Sequence, residues 1–164
     1  MAGARWIVAV DPVEFKRESA KRFGATHTAK DVFEAYSLVN DMTRGRLADS
    51  AIITTGVAHG DLLGSTVSLV RKGGTVVVTA IGPFSQAQVT LSLFELTLWQ
   101  KQVRGSLFGG GNPRADIPKL LSLYQEGSLL LDELITKTYT LEEINEGYQD
   151  MRDGKNVRGV VVFD

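Results

Sequence analysis

Asp11 stands at the end of a short apolar run, Trp6-Ile7-Val8-Ala9-Val10, and immediately before Pro12. A carboxylate at the end of a buried strand is where dinucleotide-binding folds hold the adenosine ribose, and its charge repels a 2′-phosphate, which favours NAD. The same residue is also a good helix cap. Pro12 takes the first helical position and Glu14 follows three residues after Asp11, a capping-box-like start. The two readings are compatible, because a carboxylate at a strand end can do both. Lys16 lies five residues on, near the second turn of that helix and within reach of the same ribose. Taken alone, a helix lysine is a solvated surface charge.

Further along, Thr54-Thr55-Gly56 and Ile81-Gly82 each close a strand-like run. The carboxyl ends of strands are where open parallel sheets bind ligands. Alone, each is an ordinary strand-to-helix turn. His27 and His59 are the only histidines and there is no cysteine. Neither histidine has a second ligand at metal spacing, so no metal site is expected within the chain. There is no G-x-S-x-G elbow and no Walker-type loop. The one dense glycine run, Gly109-Gly110-Gly111, neither follows the first strand nor opens its helix, and reads as a hinge or loop. Dinucleotide-binding folds place a strand and a G-x-G-x-x-G turn about 20 residues ahead of such an acid; the 164 residues contain no such motif.

The elements that position these residues alternate. Residues 6–10 form a strand, 12–23 a helix stopped by Gly24, 26–28 a short strand. Asp31 opens a helix to about Thr43 with Val32, Phe33, Tyr36 and Val39 available for one face. Residues 48–55 are a strand, 59–71 a helix, and Thr75-Val76-Val77-Val78 a strand rich in β-branched residues. This alternation predicts a parallel sheet covered on both faces. The second half is less regular: a helix over 89–99, a strand over 101–108, and a helix over 114–126 with Ile117, Leu120, Leu121 and Tyr124 on one side. A strand over 135–139, a helix opened by the Thr140 and Glu143 capping box, and a closing strand over 157–163 follow. Ile144, Tyr148 and Met151 share the buried face of that last helix.

The bulk numbers fit one ordinary globular domain: 43% apolar, 23% charged, net charge −1. Near-neutral charge excludes a broad electrostatic pull toward nucleic acid or an anionic membrane. No run approaches the roughly 18 apolar residues of a spanning helix, and no signal peptide is legible, so a cytoplasmic protein is expected.

Together these pieces resemble the medium-chain, zinc-type alcohol dehydrogenases. The matches are Ala2-Gly3-Ala4-Arg5 leading to Asp11, Phe23-Gly24-Ala25-Thr26, Gly73-Gly74-Thr75-Val76-Val77-Val78, Arg104-Gly105-Ser106-Leu107-Phe108-Gly109-Gly110, Glu143-Ile144-Asn145-Glu146-Gly147-Tyr148 and Val157-Arg158-Gly159, in the family's order across nearly the whole chain. The stretch Asp11-Pro12-Val13-Glu14-Phe15-Lys16 is similar to the actinobacterial nicotinoprotein branch. The resemblance implies that Asp11 and Lys16 hold the adenosine ribose of NAD. It implies that Thr55, Ile81 and the backbone of Ser106 and Phe108 flank the nicotinamide side, and that Arg158 reaches the pyrophosphate, where a guanidinium makes bidentate contact. Arg158 alone reads as a surface charge beside a strand. Residues 89–108 match the segment through which the family dimerises, so a homodimer is expected.

The family's zinc ligands, proton relay and Gly-rich turn all precede the position matched by residue 1. The resemblance therefore implies an α/β fold with an incomplete Rossmann-like, doubly wound parallel sheet lacking its first strand and Gly-rich turn, and a C-terminal α+β tail. Residues 1–108 would be the partial NAD-binding domain and 109–164 the segment that rejoins the catalytic domain. The expected function is the C-terminal cofactor portion of an NAD-dependent alcohol dehydrogenase, inactive as this chain alone. Zinc belongs to the full-length family only, and NAD binding is weak or lost here. The alternatives are a non-catalytic nucleotide-binding or dimerisation module, or another Rossmann-like enzyme such as a methyltransferase.

In the family's sheet the first strand lies between the strands at 6–10 and 48–55. Its loss would forfeit about ten ladder bonds at about 0.5–1.5 kcal/mol each, which rivals a domain's stability of roughly 5–15 kcal/mol. The strands at 6–10 and 48–55 are therefore expected to pair directly or to take another strand between them. Those at 135–139 and 157–163 are expected to seek a partner chain.

Overall fold

The computed structural model describes residues 3–85 and 88–163; Ala2, the first residue of the matched N-terminal motif, lies outside them. They form two compact units, one of residues 3–30 with 112–163 and the other of residues 31–111.

In the first unit, β1 (Val8–Val10) is followed by α1 (Glu14–Arg22) and β2 (His27–Ala29). β1 and β2 pair in parallel, Val8 opposite His27 and Val10 opposite Ala29. The unit resumes with α5 (Pro113–Gln125), β6 (Ile135–Tyr139), α6 (Ile144–Arg152) and β7 (Arg158–Val161). β6 and β7 also pair in parallel, through the α6 crossover. In the second unit, α2 (Val32–Met42) leads to β3 (Ala48–Ile53), α3 (Gly60–Leu69), β4 (Val70–Val78), α4 (Leu93–Leu98) and β5 (Gln102–Gly105). Its sheet runs β3-β4-β5, all parallel. Ile53, Val67, Val70 and Val76 are the buried heart of its core. The strand–helix–strand repeat puts helices over sheet faces, as the alternation predicted.

Several expectations are corrected. β1 does not pair with β3: the two strands belong to different sheets. The strands at 135–139 and 157–163 pair with each other in parallel along one edge.

The first helix starts at Glu14 with Val13 at its cap position. The Asp11 carboxylate holds the turn ahead of that helix instead of capping it, as Oδ1 accepts from the Val13 N–H at 2.8 Å. On α2 the buried residues are Ala35 and Val39, whereas Phe33 is 85% exposed and Tyr36 is exposed. On α6 the one fully buried residue is Asp150, whereas Tyr148 and Met151 are exposed. The apolar side of α5 is likewise uncovered, with Ile117, Leu120 and Leu121 exposed. Of the residues expected on the inner faces of α2 and α6, Val39 is buried and Val32 and Ile144 are half-buried, whereas the larger Phe33, Tyr36, Tyr148 and Met151 are not covered.

Candidate functional site

Asp11 follows the last residue of β1 directly. Its N–H donates to the Ala29 carbonyl at 3.1 Å, which continues the β1–β2 ladder by one bond. Its carbonyl accepts from Arg17 Nη1 at 2.7 Å. With Oδ1 engaged by Val13, Oδ2 takes no hydrogen bond among the described residues. The half-buried carboxylate is thus fixed by the backbone on one side and open on the other. That is the state a ribose-binding acid needs before its ligand arrives, since an oriented acceptor adds no ordering cost on binding.

Lys16 is half-buried on α1 and has no hydrogen-bond or ion-pair partner among the described residues. It borders a cleft of about 490 Å³ whose apolar lining includes Ile7, Ala9, Ala20, Phe23, Leu134 and Val157. The glycine of the α6–β7 turn also comes close. A methyl group at Gly154 would lie 3.3 Å from the Val13 side chain and 3.8 Å from Lys16 Cε. Gly154 has φ 67°, which favours glycine in any case. The structure therefore brings the turn that precedes Arg158 against the segment that carries Asp11 and Lys16. Arg158 itself is exposed at the first position of β7, opposite Ile135, and makes no hydrogen bond or ion pair among the described residues.

The other four candidates belong to the second unit. Parallel pairing of β3, β4 and β5 brings the carboxyl ends of the three strands side by side. Thr55 Oγ1 donates to the Val57 carbonyl at 2.9 Å and closes the turn after β3. The Ile81 carbonyl accepts from the Ala58 N–H at 3.2 Å, which ties the loop after β4 to the loop after β3. Ser106 donates its N–H to the Val78 carbonyl at 2.9 Å and extends β5 by one bond. Phe108 follows at φ 49° and is 95% exposed. It opens a one-turn 3-10 segment, Phe108–Gly110, in which Gly109 and Gly110 also have positive φ. Thr55, Ile81 and Ser106 thus sit in adjacent loops at the ligand-binding end of a parallel sheet.

Sequence reasoning missed a buried polar network beside Arg158. Asp150, on α6, has a side chain only 10% exposed. Its Oδ2 accepts from Lys137 Nζ at 2.7 Å and from the Tyr139 hydroxyl at 2.9 Å. Asn156 Nδ2 donates to that same hydroxyl at 3.0 Å. The Lys137 ammonium, helped by Tyr139, holds the Asp150 carboxyl below the usual carboxylate range, although burial opposes the shift. Lys155 is raised in turn, chiefly by its hydrogen bond to Asp153. These partners lie far apart in sequence, and no periodicity links them. The only signal was a Tyr and an Asn flanking apolar strands.

No three His, Asp or Glu side chains converge among the described residues as a metal needs, and the chain has no cysteine. The residues present do not fit a catalytic zinc. In the first unit the open carboxylate oxygen of Asp11 and the unpaired Lys16 and Arg158 have the chemistry to meet a sugar and a phosphate; in the second unit, taken by itself, three parallel strand ends stand side by side.

Residues 1–126 match the zinc-binding dehydrogenase family. The chain belongs to that family. Alcohol dehydrogenase B of Mycobacterium tuberculosis strain H37Rv is 52% identical over 162 residues, which is 99% of this chain and 43% of that protein. The NDMA-dependent alcohol dehydrogenase of Amycolatopsis methanolica is 50% identical over 161 residues, 98% of this chain and 43% of that protein. The crystal structure of benzyl alcohol dehydrogenase from Acinetobacter calcoaceticus superimposes with a TM-score of 0.86 at 29% identity, over 99% of this chain and 44% of that one. The chain spans less than half the length of the curated relatives it matches. It corresponds to the C-terminal, cofactor-domain part of zinc-type medium-chain alcohol dehydrogenases, with their Rossmann-like α/β fold. The similarity extends to the actinobacterial relatives, in line with the Asp11-to-Lys16 stretch.

Proposed function

We propose that this chain is the cofactor-binding part of an NAD-dependent alcohol dehydrogenase. Asp11 and Lys16 hold the adenosine ribose and Arg158 meets the pyrophosphate. Thr55, Ile81 and the backbone of Ser106 and Phe108 flank the nicotinamide. The bound dinucleotide would supply hydride acceptance; the chain's own residues bind and orient it. Residues 1–108 form the partial NAD-binding domain and 109–164 the segment that rejoins a catalytic domain. The observation that carries this reading is the Asp11 carboxylate, fixed at the end of β1 through Oδ1 with Oδ2 free.

The 164 residues do not oxidise alcohols by themselves. No G-x-G-x-x-G turn that would present a helix N-terminus to the phosphates stands in these residues, so NAD binding is weak. Dimerisation runs through residues 89–108. In support, β5 is an edge strand of its sheet and Leu93, Phe94 and Leu98 on α4 are exposed.

Backbone NMR of the chain titrated with NADH tests the assignment of roles. Shifts concentrated at Asp11, Lys16, Thr55, Ser106, Phe108 and Arg158 are expected. Shifts confined to other surfaces overturn it. Alcohol-dependent NADH production by the zinc-loaded chain refutes the statement that it is inactive alone.

A further inference from the structure

Tyr139 is the pivot of the β6–α6–β7 substructure. It is 4% exposed, and glycines stand against its ring from two elements. A methyl group at Gly147 on α6 would lie 3.3 Å from Tyr139 Cδ2, and one at Gly159 on β7 would lie 2.6 Å from Cε2. Both glycines let helix and strand backbone close onto the ring. Its hydroxyl then sits between two buried side chains: it donates to Asp150 Oδ2 and accepts from Asn156 Nδ2. Asn156 is 5% exposed. Arg158 follows it by two residues, with Val157 pinned between them by an N–H bond to Thr136 Oγ1 at 3.0 Å. At the other end of the same turn Gly154 packs on Val13 beside Lys16. The turn is thus tied through Asn156 to the Asp150–Tyr139 chain and packs at Gly154 against Val13.

We infer that Tyr139 is a positioning residue for the dinucleotide. Through Asn156 and Asp150 it fixes the Gly154–Arg158 turn so that the Arg158 guanidinium is presented to the pyrophosphate. This rests on the proposed role of Arg158. A guanidinium gives its advantage over an ammonium only where its planar fork is held in register with the phosphate oxygens. Arg158 has no partner of its own to orient it among the described residues, so its register comes from the backbone, and the backbone is set by the buried network. Removing the hydroxyl alone leaves Asp150 and Asn156 each without one partner in a buried setting, which a chain of hydrogen bonds tolerates poorly. The ring packing survives that change.

A double-mutant cycle read by calorimetric titration with ADP-ribose tests this. Tyr139→Phe, Arg158→Lys and the double variant are compared with the parent chain. Arg158→Lys keeps a charge but loses the fork, and at least threefold weaker binding is expected. Tyr139→Phe is expected to weaken binding at least threefold as well. The double variant should bind within twofold of Arg158→Lys, because placing the fork has no value once the fork is gone. Multiplying losses in the double variant mean that Tyr139 acts independently of Arg158 and overturn the inference. So does a Tyr139→Phe chain that binds like the parent while Arg158→Lys is impaired. An unimpaired Arg158→Lys chain, or a parent chain that does not bind ADP-ribose, overturns the role of Arg158 and the inference with it. Should Tyr139→Phe fail to fold, Asn156→Ser cuts the same link from its other end and is judged by the same cycle.

Discussion

The Asp11 carboxylate accepts the Val13 N–H at 2.8 Å through one oxygen only. This bond separates two roles that the sequence left superposed. Asparagine at position 11 keeps the Oδ1 acceptor and loses the charge; alanine loses both. Asp11→Ala is expected to destabilise the chain by about 1 kcal/mol, as loss of a turn or cap acceptor does, and Asp11→Asn by no more than a few tenths. Thermal unfolding of the two variants checks this. Equal destabilisation would mean that the charge, not the turn bond, is what Asp11 gives the fold.

In the second unit, Lys101 is an almost fully buried cation, its side chain 2% exposed. Its Nζ donates to the Val67 carbonyl at 2.9 Å and to Glu95 Oε2 at 2.6 Å, and lies 5.0 Å from the centre of the Trp99 ring. Removing Glu95 strands that charge, whereas replacing Lys101 with an apolar residue of similar length does not. Glu95→Ala should therefore cost about 3–5 kcal/mol and Lys101→Met distinctly less. Urea unfolding of both variants measures the difference, and a larger loss for Lys101→Met contradicts it.

Gly64 lies where the segment after β4 passes over α3. A methyl group there would sit 2.5 Å from the Thr90 carbonyl oxygen, which is backbone and has little room to yield. Gly64→Ala should destabilise by about 1–3 kcal/mol. Because it displaces the start of the 89–108 segment, it should also weaken self-association. Thermal unfolding and sedimentation velocity read the two effects separately.

Much of the fold was legible because several strands are apolar runs and some helices carry side-chain caps. Asp31 does accept the Glu34 N–H at 2.8 Å, whereas only half of the Thr140–Glu143 box forms: Glu143 accepts the Thr140 N–H at 2.8 Å, and the helix begins later, at Ile144, with Glu143 rather than Thr140 at its cap. The clustering of Thr55, Ile81 and Ser106 followed from the strand–helix alternation, since parallel order alone brings those loops together. Which side of a helix would be covered was not legible. Periodicity put Phe33 and Tyr148 inward because they are large and apolar, yet the neighbouring surface sits against Ala35 and Asp150. A buried aspartate is paid for by partners 11 and 13 residues away, and nothing local announces them. Whether β1 would pair directly with β3 was not legible either, because an energetic need for pairing does not say which edge answers it.

Acid should loosen the first unit through Asp150. Its folded pKa is lowered from 3.8, first by the Lys137 hydrogen bond and then by Tyr139. A carboxylate with a depressed folded value favours the folded state fully above its unfolded value, and that contribution is lost as the pH falls through the folded one. The β6–α6–β7 amides should therefore keep their hydrogen-exchange protection at neutral pH and lose it below about pH 4. In Asp150→Asn this pH dependence should be smaller. An unchanged acid profile in that variant would assign the transition to other carboxylates, of which Asp49, lowered by its bond to Arg71, is one.

Calorimetric titration of NADH into the parent chain and into Asp11→Asn tests most directly whether these residues bind NAD through the acid that ends β1. Saturable binding, weaker than nanomolar in the parent and at least fivefold weaker still in the variant, is the predicted result. No saturable binding by the parent, or binding that Asp11→Asn leaves unchanged, would contradict it.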